Sequence, residues 1–448
     1  MKRIEEYTKQ LHISVSNYWM QKSSLWITQL CGKSGMGKTF LAQSYLEAYG
    51  GQYFSFRNLD AAFAPQIFRP GCQLWREFFA EIGETKNRPV IFFDDVDDRN
   101  DKEDFLSALP TLAGKAYVVL LVRNQMELPF PFDVIQMTAM TFPLLLAENK
   151  ALDPLDALRT IAITDGIPEL VRLFDFQRTF AENMGLLFTQ NSTYFRYAES
   201  ELRRHFRTPE TYGILLYGMA TGHNRISQLA EFSGFPQNKC DKYLKALDKA
   251  GLLETVQRKD TAGHIRTHYY PKGGYWKAWF RYAFPAQGRY IRPLEGDCFQ
   301  QLANEIDRTI VAEYFKKICW NWLEKNYHRC YWDGLLKFDD PKQRDVIIND
   351  VRFDYVQETK NHTIYVKIWD NVQEGFPKEA FQKIEAATTE DRPFYDNIYY
   401  LFSVGRACNY VEELRRLDTV AVVNLKSLLG QIPEHPHQNP HLARLCMI

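Results

Sequence analysis

LCGKSGMGKTFLAQSYL, residues Leu30 to Leu46, sets glycines at Gly32, Gly35 and Gly37 directly before Lys38 and Thr39. The spacing G-x-x-x-x-G-K-[ST] is that of a loop that wraps phosphates. Glycine has no Cβ, so the backbone N–H groups of Lys33, Ser34, Gly35, Met36 and Gly37 can turn inward and approach an anion closely. The helix that starts near Lys38 and runs through Phe40 points its positive end at the same anion. Lys38 then reaches the β- and γ-phosphates, and the Thr39 hydroxyl is a ligand for Mg²⁺. A chance glycine-rich turn is the alternative. It is disfavoured because an apolar run, SSLWITQLCG, precedes the loop and a helical pattern, KTFLAQSYLEAYGG, follows it.

Outward from the loop, strand-like and helix-like segments alternate. QYFSFRNL reads as a strand, CQLWREFFAEIGE as a helix and RPVIFFDDVDD as a buried strand ending in acids; DFLSALPTLAG is then a helix and AYVVLLVRN a buried strand. Fully apolar strands alternating with helices predict a parallel sheet covered on both faces. The acids that end VIFFDD fall where a phosphate loop needs them. Asp94 is expected to hold Mg²⁺ through water, and Asp95 to orient the attacking water as general base. Asp is one methylene shorter than Glu, which suits slow hydrolysis. A solvated acidic loop is the alternative, since Asp97, Asp98, Asp101, Glu103 and Asp104 follow. Arg123 and Asn124 leave the next strand at the sheet edge where ligands bind. There Arg123 either senses the γ-phosphate or caps the strand.

The chain's 448 residues exceed one ordinary core, and 45% hydrophobic with 25% charged residues is ordinary globular composition. The formal net charge of +0 means that any nucleic-acid surface has to be local. The 8 cysteines form no C-x-x-C pair, which argues against a zinc ribbon or a disulfide framework and suits a reducing cytosol. MKRIEEYTKQLHISV has no signal-peptide core, and the longest apolar runs are strand-length. A cytoplasmic protein without membrane association is expected.

Near residue 140 the strand signal stops and Pro- and Gly-punctuated helices begin. Further on, RISQLAEFSGF is a short helix ended by Gly234, and Pro236 opens another. At 100° per residue Cys240, Leu244 and Leu247 share one face of that helix, and Asn238, Lys242, Lys245 and Lys249 the opposite one. LLETVQRK and IRTHYYP then form a hairpin with Asp260–Gly263 at its tip. This is the pattern of a winged helix-turn-helix whose basic face meets double-stranded DNA. The local charge agrees. Between Pro236 and Arg281, Lys239, Lys242, Lys245, Lys249, Arg258, Lys259, Arg266, Lys272, Lys277 and Arg281 face only Asp241, Asp248, Glu254 and Asp260. Protein docking is the alternative use of such a module. The aromatic segment GGYWKAWFRYAFP, with Trp276, Trp279, Phe280 and Phe284, reads as a buried helix.

GKSGMGKT, YFSFRNLD, VIFFDD, VVLLVR and DGIPELV together resemble the STAND branch of AAA+-type P-loop ATPases, the archaeal-ATPase group. The resemblance implies ATP and Mg²⁺ as ligands. It makes Asp165–Gly166–Ile167–Pro168 a turn of a helical lid, with Gly166 and Pro168 near the nucleotide. Read from the residues alone, that turn is a helix break. The later order, with AWFRYAFP, resembles members that end in a restriction-endonuclease-like domain. That likeness assigns Asp354 and Lys367 to a nuclease frame. Tyr365 and Lys316 stand where the frame expects acids, so a degenerate nuclease is implied, with Glu313 and Glu358 as partial substitutes.

The expected fold class is α/β, divided into a P-loop NTPase core (1–140), a helical lid (141–207), a winged helix (208–285) and a degenerate nuclease-like domain (286–448). The leading expectation is a probable ATPase acting as a nucleotide-controlled switch coupled to DNA, to a partner protein or to self-association. A regulator or scaffold that binds ATP with little turnover, and a metal-dependent nuclease, are the alternatives. Arg57, Arg88 and Arg99 are unranked candidates for an arginine finger acting on a neighbouring chain.

Overall fold

Strands β1 (Ile27–Cys31), β3 (Val90–Asp94) and β4 (Tyr117–Val122) are buried along their whole length. A strand apolar on both sides needs cover on both faces, and this requirement organises the first part of the molecule. The structure is a computed structural model and describes residues 2–20, 25–56, 75–79, 89–98, 102–189, 192–259, 264–286, 297–326, 343–359, 362–389, 397–414 and 419–429. The chain divides into two units. The first is Met1–Met140 with Ile167–Arg172, and the second is Thr141–Gly166 with Leu173–Ile448.

In the first unit, helix α1 (Lys2–Trp19) precedes β1, and α2 (Lys38–Tyr49) follows it. After them come β2 (Gln52–Ser55), β3, α3 (Lys102–Ala108), β4 and β5 (Asp133–Gln136). The strands form one sheet in the order β2-β3-β4-β1-β5, every pair parallel. Alternate residues go to opposite faces. Ile27, Cys31, Ile91, Phe93, Val118 and Leu120 pack with Trp75, Phe79 and Phe105. Leu30, Phe92, Val119, Leu121 and Ile135 pack with Leu11 and Val15 of α1 and Leu41 and Tyr45 of α2.

Three features differ from the sequence reading. Strand β5 was not foreseen, because only Ile135 of its four residues is buried and such an edge strand carries little apolar signal. Helix α1 was not foreseen either; its buried residues face the sheet in an amphipathic pattern. The helix expected across DFLSALPTLAG ends at Ala108, and Leu109–Leu112 tightens into a 3₁₀ turn. Pro110 has no N–H to continue the α-helical ladder. Arg57, Arg88, Arg99, Asp101 and Asp260–Gly263 lie outside the described residues.

The second unit begins with α4 (Phe142–Glu148) and α5 (Pro154–Thr164). Helix α6 (Pro168–Val171) groups with the first unit. Helices α7 (Phe180–Leu187), α8 (Thr193–His205), α9 (Pro209–Ala220), α10 (Ile226–Ser233) and α11 (Gln237–Lys249) follow. Strands β6 (Leu253–Lys259) and β7 (Ile265–Pro271) form an antiparallel hairpin. Helix α12 (Gly274–Ala278) widens into a π-helical turn at Trp279–Ala283, and Trp276, Trp279 and Phe280 are buried. Helix α13 (Asp297–Ile306) joins α14 (Ala312–Asn326) through a second π turn at Asp307–Val311.

A second sheet closes the chain. Its strands are β8 (Arg344–Ile348), β9 (Val351–Glu358), β10 (Thr363–Ile368), β11 (Asn397–Ser403) and β12 (Val420–Asn424), in the order β12-β11-β10-β9-β8. The sheet is mixed: β8-β9 and β9-β10 are antiparallel, β10-β11 and β11-β12 parallel. Helices α15 (Lys378–Thr389) and α16 (Asn409–Leu414) accompany it, and Phe381, Ile384 and Val411 pack with Phe353, Tyr365, Tyr399 and Leu401. None of the described helices is long and apolar enough to cross a membrane.

Leu120 is fully buried at the centre of the first sheet, whereas Val134 on edge strand β5 is 38% exposed. Leu120→Ala is expected to lower unfolding free energy by about 2–5 kcal/mol. Val134→Ala is expected to cost at most roughly 0.5 kcal/mol. Urea unfolding of both variants checks the difference.

Candidate nucleotide site

The parallel register brings the C-terminal ends of β1, β2, β3 and β4 to one edge. The loop Gly32–Gly37 leaves β1 there, and Gly32 N–H donates to Val122 O of β4 at 3.0 Å. Gly35 and Gly37 have φ of 75° and 90°. A side chain at Gly35 would be strained by that φ. Its Cβ would also lie 2.8 Å from Ile167 Cγ2 and 2.9 Å from the Glu169 carboxylate. Gly37 is the N-cap of α2, so the positive end of a 12-residue helix opens at the loop.

Lys38 lies folded over the loop. Its ammonium donates to Gly32 O at 2.5 Å and Lys33 O at 3.1 Å. Burial pulls the Lys38 pKa down, while the nearby Asp94 and Asp97 carboxylates oppose that fall. A cation buried among carbonyls is a ready partner for an incoming anion. Phe40, next along α2, is 52% exposed, so its ring is not committed to the core.

The acids at the end of β3 are closely organised. Thr39 Oγ1 donates to Asp94 Oδ2 at 2.6 Å, and Tyr53 OH donates to the same oxygen at 2.7 Å. Asp95 N–H donates to Asp94 Oδ1 at 2.8 Å. Asp94 is only 6% exposed, so these donors offset its desolvation. Burial and the hydrogen bond to Asp94 push the Tyr53 pKa up, so the phenol stays a donor. Asp95 has φ of 60°, a left-handed conformation that Asp tolerates better than most residues, and its carboxylate accepts from Ser55 Oγ at 3.2 Å.

Arg123 N–H donates to Asp97 Oδ2 at 2.7 Å, and its guanidinium lies 3.6 Å from the same oxygen. This contact ties the loop after β3 to the end of β4. Buried Gln29 clamps the next loop by exchanging two hydrogen bonds with Met126, at 2.7 and 2.8 Å. Tyr53, Ser55 and Gln29 were not singled out in the sequence, and Asp97 was read only as part of a solvated acidic loop. Tyr53 and Ser55 carried a usable signal: they alternate along β2, and Ser55 pairs in register with Asp94.

The Gly-x-Pro turn is split between the units. Gly166 belongs to the second and Pro168 to the first. Pro168 starts α6, and Glu169 N–H donates to Gly35 O of the phosphate loop at 3.1 Å. Asp165 points elsewhere, accepting from Gly274 N–H at 2.7 Å and Tyr275 N–H at 3.3 Å within the second unit.

On α11, Cys240, Leu244 and Leu247 are buried, while Asn238, Lys242, Lys245 and Lys249 are exposed. Lys245 pairs with Asp241 at 2.7 Å. In the second sheet Asp354 accepts from Ile368 N–H at 2.7 Å, and Lys367 donates to Arg352 O at 2.7 Å. Tyr365 is core, stacked on Tyr399 at 5.5 Å. Glu313 pairs with Lys277 and not with the sheet residues.

Residues 28–138 match the family described as "ATPase family associated with various cellular activities (AAA)". The first unit thus carries an AAA ATPase domain, which implies nucleotide binding. No curated protein matches the chain. Among solved structures it is similar to a Walker-type ATPase of Pyrococcus abyssi, at 16% identity over 62% of this chain and 95% of that one, with a TM-score of 0.40. It is similar to the Aeropyrum pernix ORC1 protein solved in complex with DNA, at 13% identity over 60% and 89%, TM-score 0.34. It is also similar to a STAND protein with a tetratricopeptide repeat sensor from Pyrococcus horikoshii, at 13% identity over 70% and 50%, TM-score 0.27. Likenesses this distant assign no residue a role.

Asp94→Ala removes the shared acceptor of Thr39, Tyr53 and the Asp95 amide. The variant is expected to lose about 1–3 kcal/mol of stability, read by urea unfolding, together with any Mg²⁺ dependence of nucleotide affinity. A variant as stable as wild type contradicts the role of Asp94 as organiser of this edge.

Proposed function

We propose that the chain binds MgATP at the first unit, hydrolyses it, and uses the nucleotide state to control binding of double-stranded DNA by the second. The observation that carries this reading is the convergence of Thr39, Asp94 and Asp95 beside the loop Gly32–Gly37. The Thr39 hydroxyl and Asp94 carboxylate lie 2.6 Å apart, oxygens that would hold Mg²⁺, Thr39 directly and Asp94 through water. Bound there, Mg²⁺ supplies neutralisation of phosphate charge. Backbone N–H groups from Lys33 to Gly37 hold the phosphates, with Lys38 swinging from the loop carbonyls onto them. Asp95 orients the attacking water, with Ser55 fixing its carboxylate. Arg123, held at the sheet edge by Asp97, is the γ-phosphate sensor. Pro168 lines the nucleotide side of the lid, and Gly166 is the joint behind it.

In this reading residues 141–207 are the lid, 208–285 a winged helix and 286–448 a non-cleaving domain. Asn238, Lys242, Lys245 and Lys249 face the duplex, adding a salt-dependent phosphate term. Self-association or a partner protein is the alternative output of the same switch.

Asp165 supports a path between site and output. Its carboxylate caps α12, the helix that follows the hairpin β6-β7. The packing at that cap is close: a Cβ on Gly274 would lie 1.8 Å from Ala162 O of α5. Two further bonds lock the joint, Tyr194 OH to Ile163 O at 2.9 Å and Tyr275 OH to Tyr194 O at 2.7 Å. From Asp165 the chain needs only Gly166 to reach Ile167, where the segment that bonds Gly35 begins. In this reading a displacement of α6 by nucleotide is passed along the chain through Gly166 to Asp165.

A second reading, nucleotide binding with little turnover, is favoured by Asp95 itself, whose carboxylate is one methylene shorter than a glutamate's.

The test is duplex affinity with and without a non-hydrolysable ATP analogue. Wild type is expected to bind with nucleotide-dependent affinity. Lys242→Ala/Lys245→Ala/Lys249→Ala is expected to weaken binding and reduce the slope of log K against log salt by roughly 0.9 per lysine that contacts phosphate. Asp165→Ala is expected to keep ATP affinity and basal DNA affinity but lose the nucleotide dependence. DNA binding unaffected by both variants and by nucleotide contradicts the proposal.

A further inference from the structure

Two carboxylates in the second unit share one cation supplied by the chain itself. The Lys316 ammonium, from α14, lies 3.5 Å from Asp354 Oδ1 and 3.2 Å from Asp370 Oδ2. Asp354 is 8% exposed, and its other oxygen accepts from Ile368 N–H at 2.7 Å. A carboxylate buried to this degree requires a counter-charge. Burial pushes the Asp354 pKa up, and Lys316, the Ile368 amide and Lys367 pull against that rise. Burial alone pulls the Lys316 pKa down, but Asp354 and Asp370 outweigh it and the net direction is up. The ammonium therefore stays charged at neutral pH and, together with Lys367, balances the two carboxylates from within.

We infer that Lys316 occupies the position a divalent cation would take between Asp354 and Asp370, so that this site is built to work without metal and is one substitution away from binding it. The inference deepens the reading of 286–448 as a non-cleaving domain. A hard dication needs several oxygen ligands at about 2.0–2.6 Å. Asp354 and Asp370 offer two carboxylates converging on one point, and the ammonium sits at that point. It bridges both with one charge and three donors, and it repels any second cation. Lys367 adds to the repulsion because its charge also acts on Asp354. A carboxylate in place of Lys316 reverses the sign. Three acids then converge where two acids and a lysine now do, from α14, β9 and the turn after β10.

The experiment counts bound Mn²⁺ by electron paramagnetic resonance in the full-length, nucleotide-free protein. Wild type, Lys316→Glu and Lys316→Glu/Asp354→Asn are compared. The expected result is an additional bound ion in Lys316→Glu that disappears in the double variant. Equal occupancy in all three overturns the inference. Asp354→Asn alone is measured as well: a wild-type ion lost in it also overturns the inference, because it reveals a working metal site. If Lys316→Glu folds poorly, melting of Lys316→Gln with and without Mn²⁺ gives the same comparison: a rise in Tm for the variant and none for wild type supports the inference, and no rise in either overturns it. Incubating wild type with plasmid and Mn²⁺ tests the non-cleaving reading separately. Absence of cleavage together with no gained ion leaves that reading standing and removes the role of Lys316.

Discussion

The first unit depends on the burial of three parallel strands on both faces. Once β1, β3 and β4 are apolar along their length, polar chemistry can appear only where they end. The register then decides which ends meet. Leu121 pairs with both Leu30 and Asp94, and Ser55 pairs with Asp94, so the loop after β1 and the acids after β3 share one edge. The Thr39–Asp94 hydrogen bond follows from that alignment. Asp94 in turn carries three donors, and this satisfaction is what allows a nearly buried carboxylate to persist beside an anion site.

Much of this edge was legible in the residues. Gly32 to Thr39 form a contiguous motif whose chemistry is local, and VIFFDD is a continuous apolar run ended by acids. Both patterns survive in one dimension. Tyr53 escaped notice, and Asp97 was read only as one acid of a loop, because their roles arise between strands: a tyrosine in a strand reads as a packing residue until its neighbour is known. The same holds for Gln29, whose partner lies 97 residues away. Strand β5 was missed because an edge strand needs few apolar residues. In the second unit, the amphipathic division of α11 was visible at helical spacing, and the hairpin that follows it was visible as alternation. The partnership of Lys316 with Asp370 was not, because nothing in the sequence links a helix to a turn 54 residues later.

A common physical device recurs in the second unit: buried or half-buried acids are matched to specific donors. Arg159 holds Asp307, which is 1% exposed, through its Nη2 at 2.6 Å and its Nε at 3.0 Å. Asp165 caps α12 through two backbone amides, and Asp354 takes an amide and an ammonium. Such pairings cost desolvation, and they constrain geometry because breaking one leaves a buried charge. The turn Asp165–Gly166–Ile167–Pro168 is divided between the units: Asp165 and Gly166 fall in the second, Ile167 and Pro168 in the first.

In the proposed function the phosphate loop and the β3 acids form a site that turns ATP over. Steady-state ATP hydrolysis with Mg²⁺, measured beside ATP affinity in wild type, Asp95→Asn and Lys38→Ala, tests it most directly. The account predicts turnover in wild type, retained binding with lost turnover in Asp95→Asn, and lost binding in Lys38→Ala. Tight ATP binding by wild type with no turnover, or turnover unchanged in Asp95→Asn, contradicts it.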